Sequence, residues 1–336
     1  MIPDNSAVRP PAPRLRREFS GIFTPIATPF TADDVVDEAA LRRNVARWMQ
    51  TPLTGLVVLG SNGEAAQLDD AEANRVIAIV REGVPATKPL IAGTGRESTK
   101  ATIAATVRAA QAGADAALVR TPSFFKGQMT SEILVRHYTE VADASPIPVL
   151  LYNVTMFTGV NLQPDAVERL AVHPNIAGLK ESGGDIAQIA EYVARTPDDF
   201  VVLAGSATTL YHALCAGCDG AVLALAMLLP DECVRMRALV AERRLDAAMA
   251  LQRQLLPIAR LVGTTYGVAG LKAALDLLGY EGGLPRPPLR PASQSVIDAI
   301  ARKIDALASR VRFAEPGLQE QRVRVADPAL HVTTRT

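Results

Sequence analysis

Short aliphatic runs alternate along the chain with longer segments in which apolar residues recur at helical spacing. Eight such runs predict strands, at residues 21–27, 55–59, 89–92, 116–119, 149–152, 176–179, 201–203 and 220–223. The segments between them predict amphipathic helices, such as 38–49, 70–82, 99–112 and 131–144. Strands that are apolar on both faces are typical of a parallel sheet covered by helices. The eight strand–helix units therefore predict an α/β fold, the (β/α)8 TIM barrel.

The alternation stops after the eighth strand. Residues 230–245, 247–262, 270–279 and 294–308 predict consecutive helices, which form a C-terminal helical appendix on the barrel. We therefore divide the chain into a barrel at 19–229 and a helical region at 230–310. The Pro- and Arg-rich residues 1–18 predict a disordered extension, and the aperiodic residues 311–336 predict a disordered tail. Helical appendices often serve subunit contacts, so a homo-oligomer is expected.

A doubly wound sheet is the rival architecture. It would usually contain fewer units and a glycine-rich phosphate loop after its first strand. Here the first strand leads into Thr28-Pro29-Phe30, which has no glycine. The segment Gly93-Thr94-Gly95-Arg96-Glu97-Ser98 resembles half of a dinucleotide motif, but its third glycine is a serine. Ser98 or Thr99 is better interpreted as a helix N-cap. The sequence therefore favours the barrel and no nucleotide cofactor.

Composition excludes several classes of protein. The 336 residues include 35 basic and 35 acidic side chains, so no net charge favours nucleic acid or an anionic membrane as a partner. With 49% apolar residues the chain can form a large core. The longest apolar run, residues 221–229, is too short to cross a bilayer, and residues 1–18 lack the apolar segment of a secretory signal. We expect a soluble cytoplasmic protein that acts on a small molecule.

The cysteines predict neither a disulfide framework nor a metal centre. Cys215 and Cys218 match the C-x-x-C spacing of redox and zinc sites, but no second pair follows, and Cys233 is the only other cysteine in the sequence. The histidines are scattered. We interpret the pair as small buried thiols near a turn and expect neither a metal nor a cofactor.

The chemically distinctive residues follow the predicted strands. In a barrel of this kind the carboxyl ends of the strands meet at one mouth, where catalytic groups lie. The most informative strand ends are Gly60-Ser61-Asn62-Gly63-Glu64, Tyr152-Asn153, Lys180-Glu181-Ser182-Gly183-Gly184 and Ala204-Gly205-Ser206. Together they predict a site with one lysine, one tyrosine, serines, an asparagine and open backbone amides.

Such a set suits covalent chemistry on a 2-oxo acid. Desolvation at the end of an apolar strand favours the neutral amine of Lys180, which can attack a carbonyl and form a Schiff base. The protonated imine withdraws electrons from the neighbouring carbon, and the Tyr152 phenol can carry the proton. Serine, asparagine and backbone N–H groups suit a planar carboxylate. By position alone, a solvated lysine at a strand end is an equally good interpretation of Lys180.

Structural roles are the better interpretation for the other charged residues near these strand ends. Successive strand side chains alternate, so Glu181 points away from the lumen if its predecessor points into it. Glu64 is better explained as an anchor for loop N–H groups than as a base. Asp185 is better explained as an acid in the first turn of a helix. His137 and His212 fall in helical segments, which predicts packing or surface positions.

Three segments resemble the motifs of one enzyme family: Gly60-Ser-Asn-Gly-Glu64, Tyr152-Asn-Val-Thr-Met-Phe-Thr-Gly159 and Gly178-Leu-Lys-Glu-Ser-Gly-Gly-Asp185. They are similar to those of the dihydrodipicolinate synthase / N-acetylneuraminate lyase family of class I aldolases, and most similar to its 4-hydroxy-2-oxoglutarate aldolases. The resemblance extends over roughly residues 20 to 300, through the segments 126–129, 145–149, 173–176, 270–272 and 279–283.

The resemblance implies a role for each site residue. Lys180 forms the imine with pyruvate or another 2-oxo acid, and Tyr152 carries a proton to and from the substrate oxygen. Ser61 relays protons to Tyr152 and, with Asn62 and the neighbouring amides, grips the carboxylate. The remaining substrate contacts are Ser182 and Gly205. Members of the family are typically homotetramers that pack as pairs of tight dimers, so a tetramer or a dimer is expected, without a cofactor.

Three residues depart from the family's pattern. Phe124 stands where the family usually has a relay tyrosine, so the relay here is shortened or completed by water. Phe157 stands where the synthases that use aspartate semialdehyde have an arginine. Without that arginine, the site lacks a bidentate contact to a carboxylate. Thr155 replaces the usual proline. Phe124, Phe125 and Phe157 together predict a more apolar acceptor end, so the aldehyde can be one other than glyoxylate.

These residues lead to three functional hypotheses. The first is a lyase that cleaves a 4-hydroxy-2-oxo acid to pyruvate and an aldehyde, with 4-hydroxy-2-oxoglutarate and glyoxylate as the first pair to test. The second is a dihydrodipicolinate synthase, or a sugar-acid aldolase or dehydratase of the same family. The third is a catalytically poor member that binds a 2-oxo acid or serves regulation, because Phe124 replaces the relay tyrosine.

Overall fold

A closed barrel of eight parallel strands forms the centre of the computed structural model, which describes residues 18–308. The strands are β1 (Ile22–Pro25), β2 (Gly55–Val58), β3 (Leu90–Gly93), β4 (Ala116–Arg120), β5 (Val149–Asn153), β6 (Ile176–Glu181), β7 (Val201–Ala204) and β8 (Gly220–Val222). Each strand pairs with the next, and β8 closes the ring on β1. Every strand lies at its predicted place, so the predicted TIM barrel is confirmed.

Helices follow the strands. They are α1 (Glu38–Met49), α2 (Asp70–Gly83), α3 (Thr99–Gln111), α4 (Ser131–Ala144), α5 (Thr155–Thr158), α6 (Pro164–Ala171), α7 (Ile186–Arg195) and α8 (Leu210–Cys215). Several begin at a side chain that accepts a hydrogen bond from the first turn, among them Asp37, Asp69 and Ser98. The predicted N-cap at Ser98 is therefore confirmed. Residues 93–97, which resemble half of a dinucleotide motif, lead from the last residue of β3 to this helix.

The barrel has two apolar layers, one inside the ring of strands and one between the strands and the helices. The inner layer includes Phe23, Val57, Ile91, Leu150 and Leu203, all at most 1% exposed. The outer layer is larger and is formed mainly by aliphatic side chains of both strands and helices. Because both faces of each strand are buried, the strands are uninterrupted apolar runs in the sequence.

Strand β6 contains an irregularity that determines where its side chains point. Its pairing with β5 skips Ala177, which is an extra residue on β6 and packs in the inner layer. Without this bulge, regular alternation from Ala177 would turn Leu179 inward and Lys180 outward. The bulge shifts the phase, so that Leu179 packs in the outer layer and Lys180 faces the lumen.

Four helices after residue 229 form the C-terminal region: α9 (Pro230–Ala241), α10 (Leu245–Arg260), α11 (Gly267–Leu277) and α12 (Gln294–Ala308). The helix predicted to reach residue 262 ends at Arg260, where the chain passes into a π-helical turn, Leu261–Thr265. Pro257 lies inside α10 and removes a backbone N–H donor shortly before that change. The Asn44 side chain of α1 exchanges two hydrogen bonds with the Glu281 backbone, at 2.8 and 2.9 Å, which ties this region to the barrel.

The two predicted terminal segments lie almost entirely outside the described residues. The predicted disordered extension, residues 1–18, lies outside the described residues except for its last residue, and the predicted tail, 311–336, lies entirely outside them. The division of the chain between residues 229 and 230 stays a prediction. Within residues 18–308, no helix is both long enough and apolar enough to cross a lipid bilayer.

Candidate active site

The carboxyl ends of the strands meet at one mouth of the barrel and line a cavity of about 480 Å³. Six residues that the sequence assigns to the site lie in its wall: Ser61, Asn62, Tyr152, Lys180, Ser182 and Gly205. Their positions in the sequence are far apart, and only the closure of the barrel brings them together. Phe157 also lines the cavity, whereas Phe124 does not.

Lys180 is buried near the end of β6, with only 3% of the residue exposed. Its Nζ atom lies 4.2 Å from the centroid of the Tyr152 ring, and Tyr152 is its partner across the β5–β6 pairing. The interpretation of Lys180 as a solvated strand-end lysine is therefore wrong. The bulge at Ala177 is the local feature that turns this side chain into the lumen.

The Tyr152 hydroxyl makes a second contact, across the mouth of the barrel. It lies 3.3 Å from the Ser61 hydroxyl, and either group can donate the hydrogen bond. Ser61 lies in a tight turn at residues 60–64, one residue after the end of β2. The two hydroxyls form a path by which a proton can leave or enter the cavity.

Ser182 and Gly205 form the wall between β6 and β7. The Ser182 hydroxyl is buried and has no hydrogen-bond partner among the described residues. A Cβ atom at Gly205 would lie 1.9 Å from that hydroxyl, so glycine is needed to leave room for it. Buried polar atoms normally have a partner, and this oxygen is therefore available to a ligand in the cavity.

A buried polar network behind β5 and β6 supports the same wall, and sequence reasoning missed most of it. Glu181 points outward, as predicted, and accepts hydrogen bonds from the Asn153 amide at 2.6 Å and from the Gly183 N–H. Asn153 also donates to Asn161 at 2.7 Å. Burial raises the pKa of Glu181, although these donors oppose the rise. The network fixes the turn after β6 from outside the barrel.

The outer part of the cavity contains residues that the sequence did not indicate. Val262, Gly263 and Thr264 of the π-helical turn line it, and Phe157 lies at its exposed rim. A Cβ atom built at Gly263 would meet no other atom within 4 Å. Periodicity gives no signal for this contribution, because the turn belongs to the helical appendix and lies far from any strand end in the sequence.

Phe124 lies outside the cavity of its own chain. It is 78% exposed, and its ring meets the Phe125 ring edge-on with the centroids 5.0 Å apart. The backbone N–H groups of Ser123 and Phe124 each donate to the Glu97 carboxylate at 2.8 Å, which holds this loop. Within one chain the substitution at Phe124 does not reach the cavity, and its effect on the proton relay stays a prediction.

The residues that were expected to have structural roles do so with one exception. Glu64 accepts a hydrogen bond from a loop N–H, and Asp185 is the N-cap of α7. His137 is buried and His212 is exposed. The prediction of two buried thiols is wrong for Cys215, which is exposed at the end of α8, whereas Cys218 is buried.

Lys180 is the only charged residue in the cavity wall that residues 18–308 form. The rest of that wall consists of hydroxyl, amide, apolar and glycine residues. In the same part of the chain no cluster of three or more histidine, cysteine or carboxylate side chains could hold a metal ion. The arrangement suits attack by an amine on a carbonyl, with a phenol and a serine to move the proton.

A buried lysine at the carboxyl end of a barrel strand, beside a tyrosine ring, is the arrangement that suits a class I aldolase-type enzyme. Comparison with known families agrees with that class. Residues 18–307 match the Dihydrodipicolinate synthetase family over nearly all of the described chain. The chain belongs to this family.

Individual relatives support the same family. The chain is 38% identical over 300 residues to 4-hydroxy-tetrahydrodipicolinate synthase of Xanthomonas axonopodis pv. citri, covering 88% of this chain and 99% of the relative. It matches the crystal structure of dihydrodipicolinate synthase from Thermotoga maritima with a TM-score of 0.83 at 30% identity, over 87% of this chain and 99% of that one. A prophage protein of the family from E. coli K12, solved in complex with pyruvate, gives a TM-score of 0.80 at 28% identity, over 86% and 98% of the two chains.

These comparisons leave one expectation without support. The motifs indicate a closer likeness to the 4-hydroxy-2-oxoglutarate aldolases, but the relatives named above carry the synthase name or the family name. They support membership of the family and not that closer likeness.

Proposed function

We propose that the protein is a lysine-dependent lyase that cleaves a 4-hydroxy-2-oxo acid to pyruvate and an aldehyde, and catalyses the reverse condensation. The observation that carries the proposal is the buried Lys180, whose Nζ lies against the Tyr152 ring inside the cavity. The pyruvate complex of the E. coli family member supports pyruvate as the oxo acid.

In the cleavage direction, the neutral Nζ of Lys180 attacks the C2 carbonyl of the substrate. Uptake of one proton from water and loss of a water molecule give a protonated imine, which accepts the electron pair of the C3–C4 bond as that bond breaks. The proton of the C4 hydroxyl passes to the Tyr152 oxygen while the Tyr152 proton passes to Ser61 and on to water, and the aldehyde leaves. Protonation of the enamine at C3 and hydrolysis of the imine release pyruvate and restore the lysine.

The other wall residues would bind the carboxylate of the oxo acid. The Asn62 side chain is a neutral donor, which suits a planar carboxylate. Ser182 contributes the buried hydroxyl that has no partner among the described residues. Gly205 leaves space beside that hydroxyl for the substrate.

We propose an uncharged aldehyde as the second product. The wall formed by residues 18–308 contains no arginine or histidine, and Phe157 occupies the place where the family resemblance puts an arginine. A second carboxylate would lose water there without a cationic partner, which is costly. Ser206, Thr208 and Thr264 offer neutral hydroxyls instead. For this reason 4-hydroxy-2-oxoglutarate, which would give glyoxylate, fits less well than a 4-hydroxy-2-oxo acid with a neutral end.

A 4-hydroxy-tetrahydrodipicolinate synthase is the second candidate. The relative of that name, 38% identical to this chain, favours it. Its aldehyde would be aspartate semialdehyde, which carries a carboxylate and would meet the same lack of a cation in the outer cavity.

We also propose that the enzyme is a cytoplasmic homo-oligomer, a dimer or a tetramer. Phe124 and Phe125, on the loop after β4, are 78% and 64% exposed, and Met156, in the short helix α5 after β5, is 58% exposed. These two segments lie side by side, since the Lys126 side chain packs beside Gly159. Large apolar side chains exposed together indicate a surface that another protein chain covers.

Trapping with borohydride tests the proposed function. The protein is incubated with pyruvate, reduced and weighed, and the modified residue is located by peptide mapping. We expect one adduct at Lys180 and none in Lys180→Ala. Lys126→Ala is the matched control, because Lys126 lies outside the cavity wall, and it should form the adduct normally. A wild-type protein without an adduct would exclude both aldolase candidates.

A panel of aldehydes then separates the candidates. With pyruvate as donor, we expect an uncharged hydroxyaldehyde such as glyceraldehyde to be condensed faster than glyoxylate or aspartate semialdehyde. Faster condensation with aspartate semialdehyde would make the synthase the better assignment. An adduct without turnover of any aldehyde would favour the third hypothesis, a 2-oxo-acid-binding protein of low activity.

A further inference from the structure

A buried ion pair lies behind the mouth of the cavity, and no step of the proposed reaction uses it. The Nζ atom of Lys272, in α11, lies 2.6 Å from Oε1 of Glu64. The two residues are 1% and 3% exposed, and neither belongs to the cavity wall. The pair joins the C-terminal helical region to the turn at residues 60–64.

The Lys272 ammonium has three oxygen atoms within 3 Å of its Nζ. One is Oε1 of Glu64 in the ion pair, and the other two are backbone carbonyl oxygens to which it donates hydrogen bonds, those of Thr28 at 2.8 Å and Leu284 at 2.6 Å. The centroid of the Phe30 ring lies 4.7 Å from Nζ and covers another side of the ammonium. Lys272 therefore fixes three separate segments of the chain relative to one another.

The turn itself is held at two further points. The Thr28 hydroxyl donates to the Gly63 carbonyl at 2.8 Å, and Oε2 of Glu64 accepts from the Arg286 backbone N–H at 2.8 Å. Ser61 and Asn62, which line the cavity, lie between β2 and these anchors. Their positions therefore depend on what holds Gly63 and Glu64.

The turn needs such anchors because the residue before it, Leu59, and its last residue, Glu64, both adopt the left-handed backbone conformation. Leu59 has a φ of 57° and Glu64 a φ of 55°, which are unfavourable values for residues other than glycine. Such conformations persist where tertiary contacts impose them. At Glu64 those contacts are the ion pair and the bond from the Arg286 N–H.

Stability of the fold does not account for the charges of this pair. Moving two charges out of water is costly, and apolar side chains of similar volume often stabilise a protein as well or better. An apolar pair could fill the space between the turn and α11. It could not replace the ion pair and the hydrogen bond from the Arg286 N–H, which hold Glu64 in one left-handed conformation.

We propose that Glu64 and Lys272 are positioning residues for the reaction. Their ion pair holds Ser61 and Asn62 where these bind the substrate carboxylate and reach the Tyr152 hydroxyl. The inference rests on the proposed function. The Ser61–Tyr152 contact of 3.3 Å is long for two hydroxyls, so a small displacement of the turn breaks it.

The test compares the wild type with Lys272→Met, with the double variant Glu64→Leu/Lys272→Met and with the control Lys88→Met. Lys88 is also a half-buried lysine that donates to carbonyl oxygens, those of Thr51 and Leu53, but it lies at the opposite end of β2 from the cavity. Each protein is measured for thermal unfolding, for the trapped pyruvate adduct at Lys180, and for kcat and KM of pyruvate in the condensation.

We expect Lys272→Met to lower both the unfolding temperature and kcat/KM, because it leaves a buried carboxylate without its partner. The double variant should recover part of the lost unfolding temperature, because no buried charge is left without a partner, but keep a kcat/KM for pyruvate about 10²-fold below the wild type. The adduct should still form at saturating pyruvate, since Lys180 is untouched. Lys88→Met should lower the unfolding temperature and leave KM unchanged.

A stable double variant with wild-type kcat and KM would overturn the proposal. If the double variant does not fold, Glu64→Gln supplies the comparison, because it keeps the size of the side chain and removes its charge. A raised KM for pyruvate supports positioning, and an unchanged KM contradicts it. A wild-type protein that forms no pyruvate adduct would instead show that the proposed function itself is wrong.

Discussion

At the scale of single residues, Tyr152 makes two contacts that one substitution can separate. Its ring lies 4.2 Å from the Lys180 Nζ, and its hydroxyl lies 3.3 Å from the Ser61 hydroxyl. Tyr152→Phe keeps the first contact and removes the second. We expect the borohydride-trapped adduct to persist while turnover falls about 10²–10⁴-fold, because a proton carrier is lost.

Steady-state release of pyruvate and mass spectrometry of the trapped protein measure these two quantities. Ser61→Ala should lower turnover in the same direction with a smaller effect, since water can take the place of the serine. If Tyr152→Phe abolished the adduct as well as turnover, the hydroxyl would be needed for imine formation, and the assignment of roles would have to change.

Which site residues could be predicted depends on whether their position follows from the strands. Lys180, Tyr152 and Ser61 stand at strand ends, so the barrel alone brings them to one mouth. Glu181 and Asn153 also stand there, but their hydrogen bonds depend on a neighbouring strand and helix that the sequence pattern does not orient. The wall residues at 262–264 have no such signal, because they come from a turn of the appendix.

At the scale of elements, strand positions were predictable because burial on both faces leaves an unbroken apolar run. Which side chains of a strand face the lumen was harder to predict than where the strand lies. In β6 the alternation rule gives the correct relation between Lys180 and its neighbour, but it does not say which of them faces the lumen. That choice depends on the extra residue at Ala177, and an alanine in an apolar run carries no visible sign of a bulge.

The loop after β4 depends on one carboxylate, Glu97. Burial alone would raise the pKa of Glu97, but the N–H groups of Phe124 and Ser123 and the Arg120 guanidinium lower it to about 2. The ionised Glu97 carboxylate stabilises the folded protein, because its pKa is lower in the folded state than in the unfolded state. This stabilisation is fully present above the ordinary pKa of 4.5. It is lost as the pH falls toward about 2.

We predict that Glu97→Gln loosens this loop without changing the barrel. A neutral amide accepts more weakly from two N–H groups, so hydrogen exchange at residues 121–126 should become faster in the variant at neutral pH. Exchange in the strands should stay the same and serves as the internal control. Equal protection of the loop in the two proteins at pH 7 would show that the carboxylate does not hold it.

At the scale of the whole molecule, a single buried histidine links stability to pH. His137 is 5% exposed, and its Nδ1 lies 2.9 Å from the Thr99 hydroxyl. Burial lowers the pKa of His137 to about 4 from an ordinary value of 6.5. The unfolded chain therefore binds a proton in this pH range that the folded chain does not, and stability falls as the pH drops from 6.5 to about 4.

We predict that His137→Gln flattens this dependence, because glutamine can still meet the Thr99 hydroxyl but does not titrate. Between pH 7 and pH 4.5 the wild type should lose about 2 kcal/mol more of its unfolding free energy than the variant. Urea unfolding at the two pH values measures the difference. Parallel losses in both proteins would place the acid sensitivity elsewhere.

The π-helical turn at Leu261–Thr265 borders the cavity but belongs to a different part of the fold from the strands that carry Lys180 and Tyr152. Bond making and breaking are encoded in the strands, where a changed residue disturbs the packed interior, whereas this turn borders the site from outside the barrel. A Cβ atom at Gly263 would meet no other atom within 4 Å. A substitution in this turn can therefore reshape one border of the site while the strands that carry Lys180 and Tyr152 keep their packing.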